Sequence, residues 1–581
     1  MPEVFYEGIR DTKPASAFEI KKTNDRSVSR QIDELVRICR SERDKELGAD
    51  YFREARELYS ITDDPSTFPS FQPKVSIPQM QTLVLNEATD ITDSSPKVYI
   101  TIDDGRDKER EKYFQANWRS GFYNNRLLEA VVWEMYTNLG YLQVGFDPRA
   151  RHGRGVTWVD SRNPANTYVD PYAKRDDHVA YVVFEDWLYI DDVRRRWPDT
   201  GWAVKPRYVS ETEPGSMTDI SLEYPEMSPL AMHGQSPSQR IFRDNRVRLR
   251  TLYCFDNARQ RIKDYAGTNS VAADLIADPR WEYKYPDGRW VTECEGVVLA
   301  DGNNWCPKLP DDDRGTFPYV RLAATPPLHN IFGPPPIRFT KSLQSLAERL
   351  YTQLFENCVR LNNGVIVMRA NSGLQASDIG WLPGEILTIN AQADPPQVIA
   401  PQPLPPHMIQ VPQGLLDLQK ELMGYGQART GEGQPGNVSP ELFDATLWQQ
   451  QAMTRLRGRL ISEPLQRLAQ MIFYIEARYK ISPDNRIDQG TGASSPGGAQ
   501  GFVQWRPTSR WPDVEVELDQ GSLKVLSAAA LRSVVAAMAK ANMLPTEQVL
   551  EAFGVPHASE IAQEKMKELE LQAVTRLKKP R

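Results

Sequence analysis

The sequence lacks the local motifs through which most enzymes bind nucleotides or metals. No glycine is followed by lysine anywhere in the 581 residues, so the chain has no phosphate-binding loop of the G-x-x-x-x-G-K-[ST] type. The six histidines form no H-x-x-x-H pair and the five cysteines form no C-x-x-C pair. Unpaired cysteines argue against structural zinc and are typical of reduced thiols. We therefore expect no catalytic residue, no metal and no cofactor.

Long apolar runs and a basic footprint are missing too. The mean hydropathy is −0.53. No run of 18 apolar residues occurs, so we expect no membrane span. The net charge is −7, whereas a protein that grips duplex DNA usually carries a basic surface, because phosphate contacts supply most of the affinity. Plain solubility is one reading of this acidity.

Paired carboxylates are the best argument for an enzyme. They occur at Asp103-Asp104, Asp176-Asp177, Asp191-Asp192 and Asp311-Asp312-Asp313. Such pairs could hold two metal ions or flank a glycosidic bond. Adjacent side chains in loops point apart, however, and Asp191-Asp192 suits the N-terminus of a helix. A carboxylate- or metal-dependent hydrolase is therefore the alternative reading, and an ordinary set of turns and helix starts is the favoured one.

The segment from Ile337 to Lys480 carries the clearest pattern in the chain. Its first helix has leucines three or four residues apart, which places them on one face. These leucines are Leu343, Leu346, Leu350 and Leu354. Asn362 to Gly364 end the helix, and a proline-rich insert follows with strand candidates at Val365–Met368 and Glu385–Ile389. The pattern predicts a helix with a small, stiff β insert at its end.

Two further helices and a glycine-rich loop complete this segment. Leu415, Leu418 and Leu422 mark the second helix, with Pro412 in its first turn. Five glycines between Gly424 and Gly436 precede a third helix that Ser439 and Pro440 begin. That helix is about 40 residues long, or roughly 60 Å. Its apolar stripe continues past Pro464, which predicts a bend rather than an end.

Upstream, the periodicity alternates between helical and strand-like. Helices are predicted over Ser27–Tyr59 as an exposed pair, over Ile77–Ile91, and over Asp103–Gly140 as one long element. The predicted strands lie at Tyr141–Phe146, Thr157–Asp160, Val179–Glu185 and Val247–Phe255, with a hairpin of Trp281–Tyr285 and Trp290–Cys294 joined at Pro286–Arg289. Ala203–Asn245 is predicted to be a long surface insertion, Ser482–Gly501 a linker and Asp513–Leu518 a strand. The fold class is α+β.

In this order of elements the chain resembles the portal proteins of tailed bacteriophages. Val156–Asp160 followed by Arg162–Pro171 is similar to the family's wing, and Phe317–Arg321 to the segment before its stem. The resemblance divides the chain as follows: N-terminal region and α/β wing 1–336, descending stem helix 337–363, β-containing clip 364–410, ascending stem helix 411–426, tunnel loop 427–440, kinked spine helix 441–480, linker and wing strand 481–522, and helical C-terminal crown 523–581.

The resemblance also implies a function and partners. Portal proteins form a ring, a dodecamer in this family, at one capsid vertex of the virion after assembly in the host cytoplasm. Double-stranded DNA passes through the ring non-specifically during packaging and ejection. The implied partners are the terminase large subunit, the major capsid protein and scaffold, and the head–tail adaptor. The chain would then be no enzyme, and its acidity would suit a channel that must let DNA slide.

Two sets of residues acquire roles from the resemblance. The DNA-facing tunnel loop would comprise Arg429, Thr430, Gly431, Glu432, Gly433, Gln434, Gly436 and Asn437. The stem would pack through Leu343, Leu346, Leu350, Leu354, Leu415, Leu418 and Leu422. Narrow apolar faces on two helices bury little by themselves, so they favour neighbouring copies in a closed ring. Another virion structural or adaptor protein is a further alternative, although adaptors are usually far shorter and lack a clip.

Overall fold

The computed structural model describes most of the chain between its termini. The described residues are 25–48, 50–60, 75–92, 96, 98–102, 105–150, 155–205, 207–210, 241–244, 246–261, 281–310, 312, 315–327, 329–362, 365–367, 397–399, 407–425, 452–479, 484–487, 502–505 and 514–518. The tunnel loop and crown predicted from the sequence, and the strand candidate at Glu385–Ile389, lie outside these residues.

Helices and strands are both well represented, as an α+β class requires. In chain order the elements are α1 Asp25–Leu47, α2 Tyr51–Ser60, α3 Gln79–Thr92, β1 Val98–Ile102, β2 Gly105–Arg106, α4 Lys108–Ser120, α5 Tyr123–Thr137, β3 Gly140–Asp147, β4 Val156–Arg162, β5 Thr167–Val169, β6 Tyr181–Tyr189, α6 Ile190–Arg196, β7 Arg207–Ser210, β8 Ile241–Asp244, β9 Arg246–Cys254, β10 Arg259–Arg261, β11 Trp281–Tyr283, β12 Arg289–Cys294, β13 Val297–Asn303, β14 Tyr319–Leu322, α7 Lys341–Asn362, β15 Val365–Val367, β16 Gln397–Ile399, α8 His407–Leu422, α9 Ala452–Tyr479, β17 Asp484–Ile487, β18 Phe502–Trp505 and β19 Val514–Leu518.

The chain divides into two compact units. The first comprises 1–56, 84–336 and 437–581, and the second comprises 57–83 and 337–436. The second unit therefore contains the predicted stem and clip together with an earlier segment, 57–83, that the sequence pattern did not connect with them. Of the described helices, none is both long and apolar enough to cross a membrane.

The largest sheet of the first unit has five antiparallel strands in the order β13-β12-β9-β6-β5. Helix α1 packs on it, and Val28, Ile32, Val36 and Cys39 are buried with side chains of the sheet. The expectation that Ser27–Tyr59 forms an exposed helical pair is therefore wrong in one respect. The two helices are present and their charged residues are mostly exposed, but Val28, Ile32, Tyr51 and Phe52 are buried against other side chains of the first unit.

One predicted hairpin is replaced by another. Trp281–Tyr285 was expected to pair with Trp290–Cys294, but β11 pairs with β10 while β12 pairs with β13. The tight turn is Glu295-Gly296, where both residues have positive φ, 45° and 88°. Two residues in this conformation match the twist of the flanking strands. The Asp287-Gly288 dipeptide gave a strong turn signal, but it joins strands of different pairings.

The long helix predicted over Asp103–Gly140 is two helices. The break lies at Gly121 and Phe122, since Phe122 has a φ of 55° and lies outside both α4 and α5. Asn138, with a φ of 58°, closes α5 and donates its backbone N–H to the carbonyl of Glu134. A left-handed phenylalanine is uncommon, so the sequence pattern did not indicate this interruption.

A second sheet, β14-β3-β4, contacts helices α5 and α9. Helix α9 continues through Pro464, as its pattern predicted, and its apolar stripe is buried. The buried members of that stripe are Ile461, Leu465, Leu468, Ile472 and Ile475. The bend at Pro464 remains a prediction. The strand predicted at Asp513–Leu518 is present as β19, which pairs with β1. Part of the predicted linker Ser482–Gly501 is also a strand, because β17 lies within it and pairs with β18.

The second unit is a helical hairpin with a β-hairpin between its helices. Strands β15 and β16 pair antiparallel, Val365 opposite Ile399, and they separate α7 from α8 in the sequence. Gln344 near the start of α7 contacts Gln419 near the end of α8, so the two helices are antiparallel. Helix α8 begins at His407, and Pro412 therefore lies inside it rather than in its first turn. The helix thus begins four residues before residue 411, where the ascending stem helix is predicted to start.

Candidate subunit interface on the helical hairpin

Polar side chains, two of them buried and one partly buried, line one face of α7. Gln344, Glu348 and Thr352 follow one another at intervals of four, which places them on one face. They accept hydrogen bonds from the backbone N–H groups of Met80 at 3.2 Å, Ile77 at 3.2 Å and Val75 at 3.3 Å, respectively. The segment from Val75 to Met80 thus follows α7 in the opposite direction. We call it the strap.

Gln344 is the centre of this arrangement. Its Nε2 donates to the carbonyl of Ile77 at 2.9 Å and to Glu348 Oε1 at 3.0 Å, while its Oε1 accepts from Met80 N and from Gln419 Nε2 at 3.3 Å. An amide side chain has two donors and two acceptor positions, and Gln344 uses them all. Because all donors and acceptors of this buried amide are hydrogen-bonded, α7 cannot rotate about its axis without breaking hydrogen bonds.

The predicted stem leucines lie outside this polar core. Leu346, Leu418 and Leu422 are 48%, 43% and 50% exposed. The remaining four, Leu343, Leu350, Leu354 and Leu415, are only partly buried. By contrast, Gln419 is fully buried. The single chain therefore buries polar groups between its helices and leaves three of the seven predicted packing leucines about half exposed.

The exposed large apolar side chains of α8 form one stripe. Val411, 49% exposed, precedes Leu418 and Leu422 by seven and eleven residues, a spacing that places all three on one helical face. Fully burying such a side chain contributes about 1.5–3 kcal/mol, so covering the half that is still exposed contributes roughly half of that. An apolar stripe of this kind is typical of a surface that another polypeptide covers. The helical hairpin is therefore the candidate interface.

In the first unit, a buried ion pair fixes the beginning of α9. Arg457 Nη1 donates to Glu87 Oε1 at 2.8 Å, and Thr454 Oγ1 donates to Glu87 Oε2 at 3.0 Å. The side chains of Arg457 and Glu87 are 3% and 0% exposed. A buried carboxylate needs partners of this kind. Sequence reasoning missed the pair because 370 residues separate its members.

The carboxylate groups that suggested an enzyme serve structural contacts where the structure describes them. Asp176 accepts two hydrogen bonds from Arg321, at 2.7 and 3.1 Å, and Asp312 accepts two from Arg467 Nη2, both at 2.9 Å. Asp191 and Asp192 lie in the first turn of α6, as predicted. Among the described residues, no group of three or more His, Cys, Asp or Glu side chains could hold a metal ion.

The cysteines form no disulfide within the described part of the chain. Cys39, Cys254, Cys294 and Cys306 are buried, and Cys358 is exposed on α7. Burial raises the pKa of the Cys39 thiol to about 12. The pKa of the Cys254 thiol is also raised by burial. Such thiols remain protonated and unreactive at neutral pH.

The residues themselves carry the functional argument. No protein-family model matches the sequence, and no curated protein matches it either. The features from which a function can be inferred are the apolar stripes of the helical hairpin, the order of its elements and the acidic balance of the chain.

Proposed function

We propose that this chain is the subunit of a phage portal, a ring at one capsid vertex through which double-stranded DNA is packaged and later ejected. The proposal rests on the order of elements in the second unit and on the surface that it exposes. A helix, a β-hairpin, an antiparallel helix and then a long helix follow one another between residues 341 and 479. This is the order that the portal resemblance leads one to expect.

The observation that carries the proposal is the outward position of the stem leucines. Leu346 and the α8 stripe are exposed, while Gln344 and Gln419 are buried between the helices. This arrangement leaves apolar side-chain area in contact with water, which is energetically unfavourable. A neighbouring copy would cover it, and head-to-tail contacts that close on themselves give a ring in which every copy is satisfied alike.

The charge of the chain supports passage of DNA rather than capture. The net charge is −7. In a ring each residue on the channel wall is repeated in every subunit, so a single lysine would become a circle of phosphate contacts. The proposed tunnel loop, Arg429 through Asn437, has one cation and one anion, Arg429 and Glu432. It would touch the phosphates without holding them.

Partners are assigned to parts of the chain by the same proposal. Residues 364–410 would form the clip, which meets the terminase large subunit during packaging and the head–tail adaptor afterwards. Pro395-Pro396 and Pro405-Pro406 restrict the backbone there, which makes a stiff tip at the end of two helices. The mixed first unit would face the major capsid protein and scaffold.

The experiment that tests this function is a translocation assay. Purified full-length protein would be added to a capsid-assembly reaction together with capsid protein, scaffold and terminase, and DNA protected from nuclease would be measured. We expect protected DNA with this chain and none without it. A carboxylate-dependent hydrolase would instead hydrolyse its substrate and would yield no protected DNA.

A further inference from the structure

A carboxylic acid is buried in the first unit without a hydrogen-bonding partner. Glu134 of α5 is 1% exposed, and neither of its carboxyl oxygens has a partner among the described residues. Burial raises the pKa of Glu134 to about 8, against the opposing charges of Arg457 and Arg321 and with the support of Glu87. Buried polar groups are nearly always satisfied, so an isolated acid at this depth requires an explanation.

One of the arginines near it has an unused donor. Arg457 of α9 donates a hydrogen bond from Nη1 to Glu87, but none of the described residues accepts a hydrogen bond from its buried Nε. An arginine can donate five hydrogen bonds in a fixed fork, so a second carboxylate could engage Nε while Nη1 stays with Glu87. The protein therefore has an unsatisfied acid and an unsatisfied guanidinium donor in the same buried region.

The other charged groups that act on Glu134 are already engaged. Arg321 of β14 holds Asp176 through Nε and Nη2 and donates Nη1 to the carbonyl of Ile331 at 3.0 Å. Glu87 of α3 accepts from Thr454 and Arg457. The electrostatic surroundings of Glu134 thus come from three other elements, α3, α9 and β14. Arg457 differs from Arg321 in having a buried donor nitrogen, Nε, that makes no hydrogen bond to the described residues.

We propose that Glu134 is a proton-controlled second anchor for helix α9. When the carboxyl loses its proton to solvent, the carboxylate accepts a hydrogen bond from Arg457 Nε, and the guanidinium then joins α5 as well as α3. The first turns of α9 are held by one helix while Glu134 is protonated and by two once it is ionised. This switch does not depend on the chain being a portal subunit.

The switch has two opposite effects on the protein. In the unfolded chain the carboxyl ionises near its ordinary pKa of 4.5, whereas the folded protein keeps the proton up to about 8. The folded state therefore binds more protons between these values, and global stability falls as the pH rises through that window. The local hold on α9 strengthens over the upper part of the same window. A buried acid without the second anchor would produce the first effect alone.

A double-mutant cycle at two pH values separates these possibilities. Glu87→Gln removes the present carboxylate partner of Arg457. We expect a large fall in Tm at about pH 5.5, where Glu134 is protonated, and a smaller fall at about pH 9, where Glu134 can take its place. In a background of Glu134→Gln, which keeps the shape of the protonated acid, the fall should be equally large at both. Glu129→Gln, on an exposed position of the same helix, is the control and should leave the pH profile unchanged.

A second measurement on the unaltered protein does not depend on any variant folding. Hydrogen exchange of residues 452–459, corrected for the intrinsic effect of pH, should be slower at about pH 9 than at about pH 7. An equal Tm loss for Glu87→Gln at both pH values would overturn the proposal. So would unchanged or faster corrected exchange at the higher pH.

Discussion

The side chain of Gln419 donates a hydrogen bond to Gln344 across the two antiparallel helices of the second unit, at 3.3 Å, and both side chains are buried. This polar contact stands where leucines would be expected between two amphipathic helices. On the same two helices Leu346, Leu418 and Leu422 are 48%, 43% and 50% exposed. The helical hairpin thus combines a buried polar contact with exposed apolar side chains.

The first prediction concerns assembly. Leu350→Asp with Leu354→Asp should abolish ring formation and leave the first unit folded, because each buried charge costs several kcal/mol in every subunit. Size-exclusion chromatography with light scattering would measure the assembly, and circular dichroism the fold. Gln413→Asp adds a charge to an exposed polar position of α8 outside the Val411, Leu418 and Leu422 stripe and should leave the assembly intact. Intact rings in the leucine variant would show that this face is not the interface.

The second prediction concerns the strap. Gln344→Ala should destabilise the second unit by about 1–3 kcal/mol for each buried group left without a partner, since Met80 N and Gln419 Nε2 both donate to this amide. Gln344→Glu retains the acceptors but sets a carboxylate oxygen against the Ile77 carbonyl and Glu348 Oε1, so it should destabilise the unit at least as much. Hydrogen exchange at residues 75–83 reports the local effect. Exchange as slow as in the unaltered protein would mean that the strap is held by other contacts.

The structure explains which features the sequence could and could not reveal. The leucine stripe of α7 and the buried stripe of α9 follow from spacing alone, because helical periodicity is local. The strap could not be found in this way, since Val75 and Thr352 are 277 residues apart and hydrogen-bond through a backbone group that any residue carries. The same limit applies to Glu87 and Arg457. Glutamate and arginine occur at many positions of helices, so neither residue type indicates a buried pair, and their pairing depends on tertiary packing.

Local signals also failed where a turn was unusual. Phe122 has a left-handed backbone conformation, which residues other than glycine, asparagine and aspartate rarely adopt. No turn signal in the sequence therefore marks the break between α4 and α5. Glu295-Gly296 turns β12 into β13, although Asp287-Gly288 is the stronger turn dipeptide. The partner of β15 was missed for a related reason, since β16 follows a pair of prolines in a segment with little alternation.

The third prediction concerns the clip. Replacing residues 368–396 with a short Gly-Ser linker removes the chain between β15 and β16 but spares both helices. We expect rings of normal size that no longer bind the terminase large subunit in a pull-down. The matched control is deletion of residues 212–239, which lie within the long surface insertion predicted from the sequence, and this deletion should leave terminase binding unchanged. Terminase binding that survives the clip deletion would move the docking surface to another part of the subunit.

The fourth prediction concerns the tunnel loop. Glu432→Lys with Gln434→Lys adds two cations per subunit next to Arg429. Each phosphate neutralised on duplex DNA steepens the salt dependence of binding by about 0.9 in the log–log slope, so the variant should bind tightly and lose affinity steeply with salt. Fluorescence anisotropy with labelled duplex measures this slope. Glu432→Gln with Gln434→Asn is the uncharged control, and it should retain the shallow slope of the unaltered ring.

The central claim is that the chain closes into a ring through its exposed helical stripes. Mass photometry and negative-stain imaging of the purified full-length protein test this claim most directly. The account predicts one species whose mass is many times the 66.1 kDa of the chain, seen in projection as a closed ring with a central channel. A monomer or dimer at micromolar concentration, with no ring in the images, would contradict it.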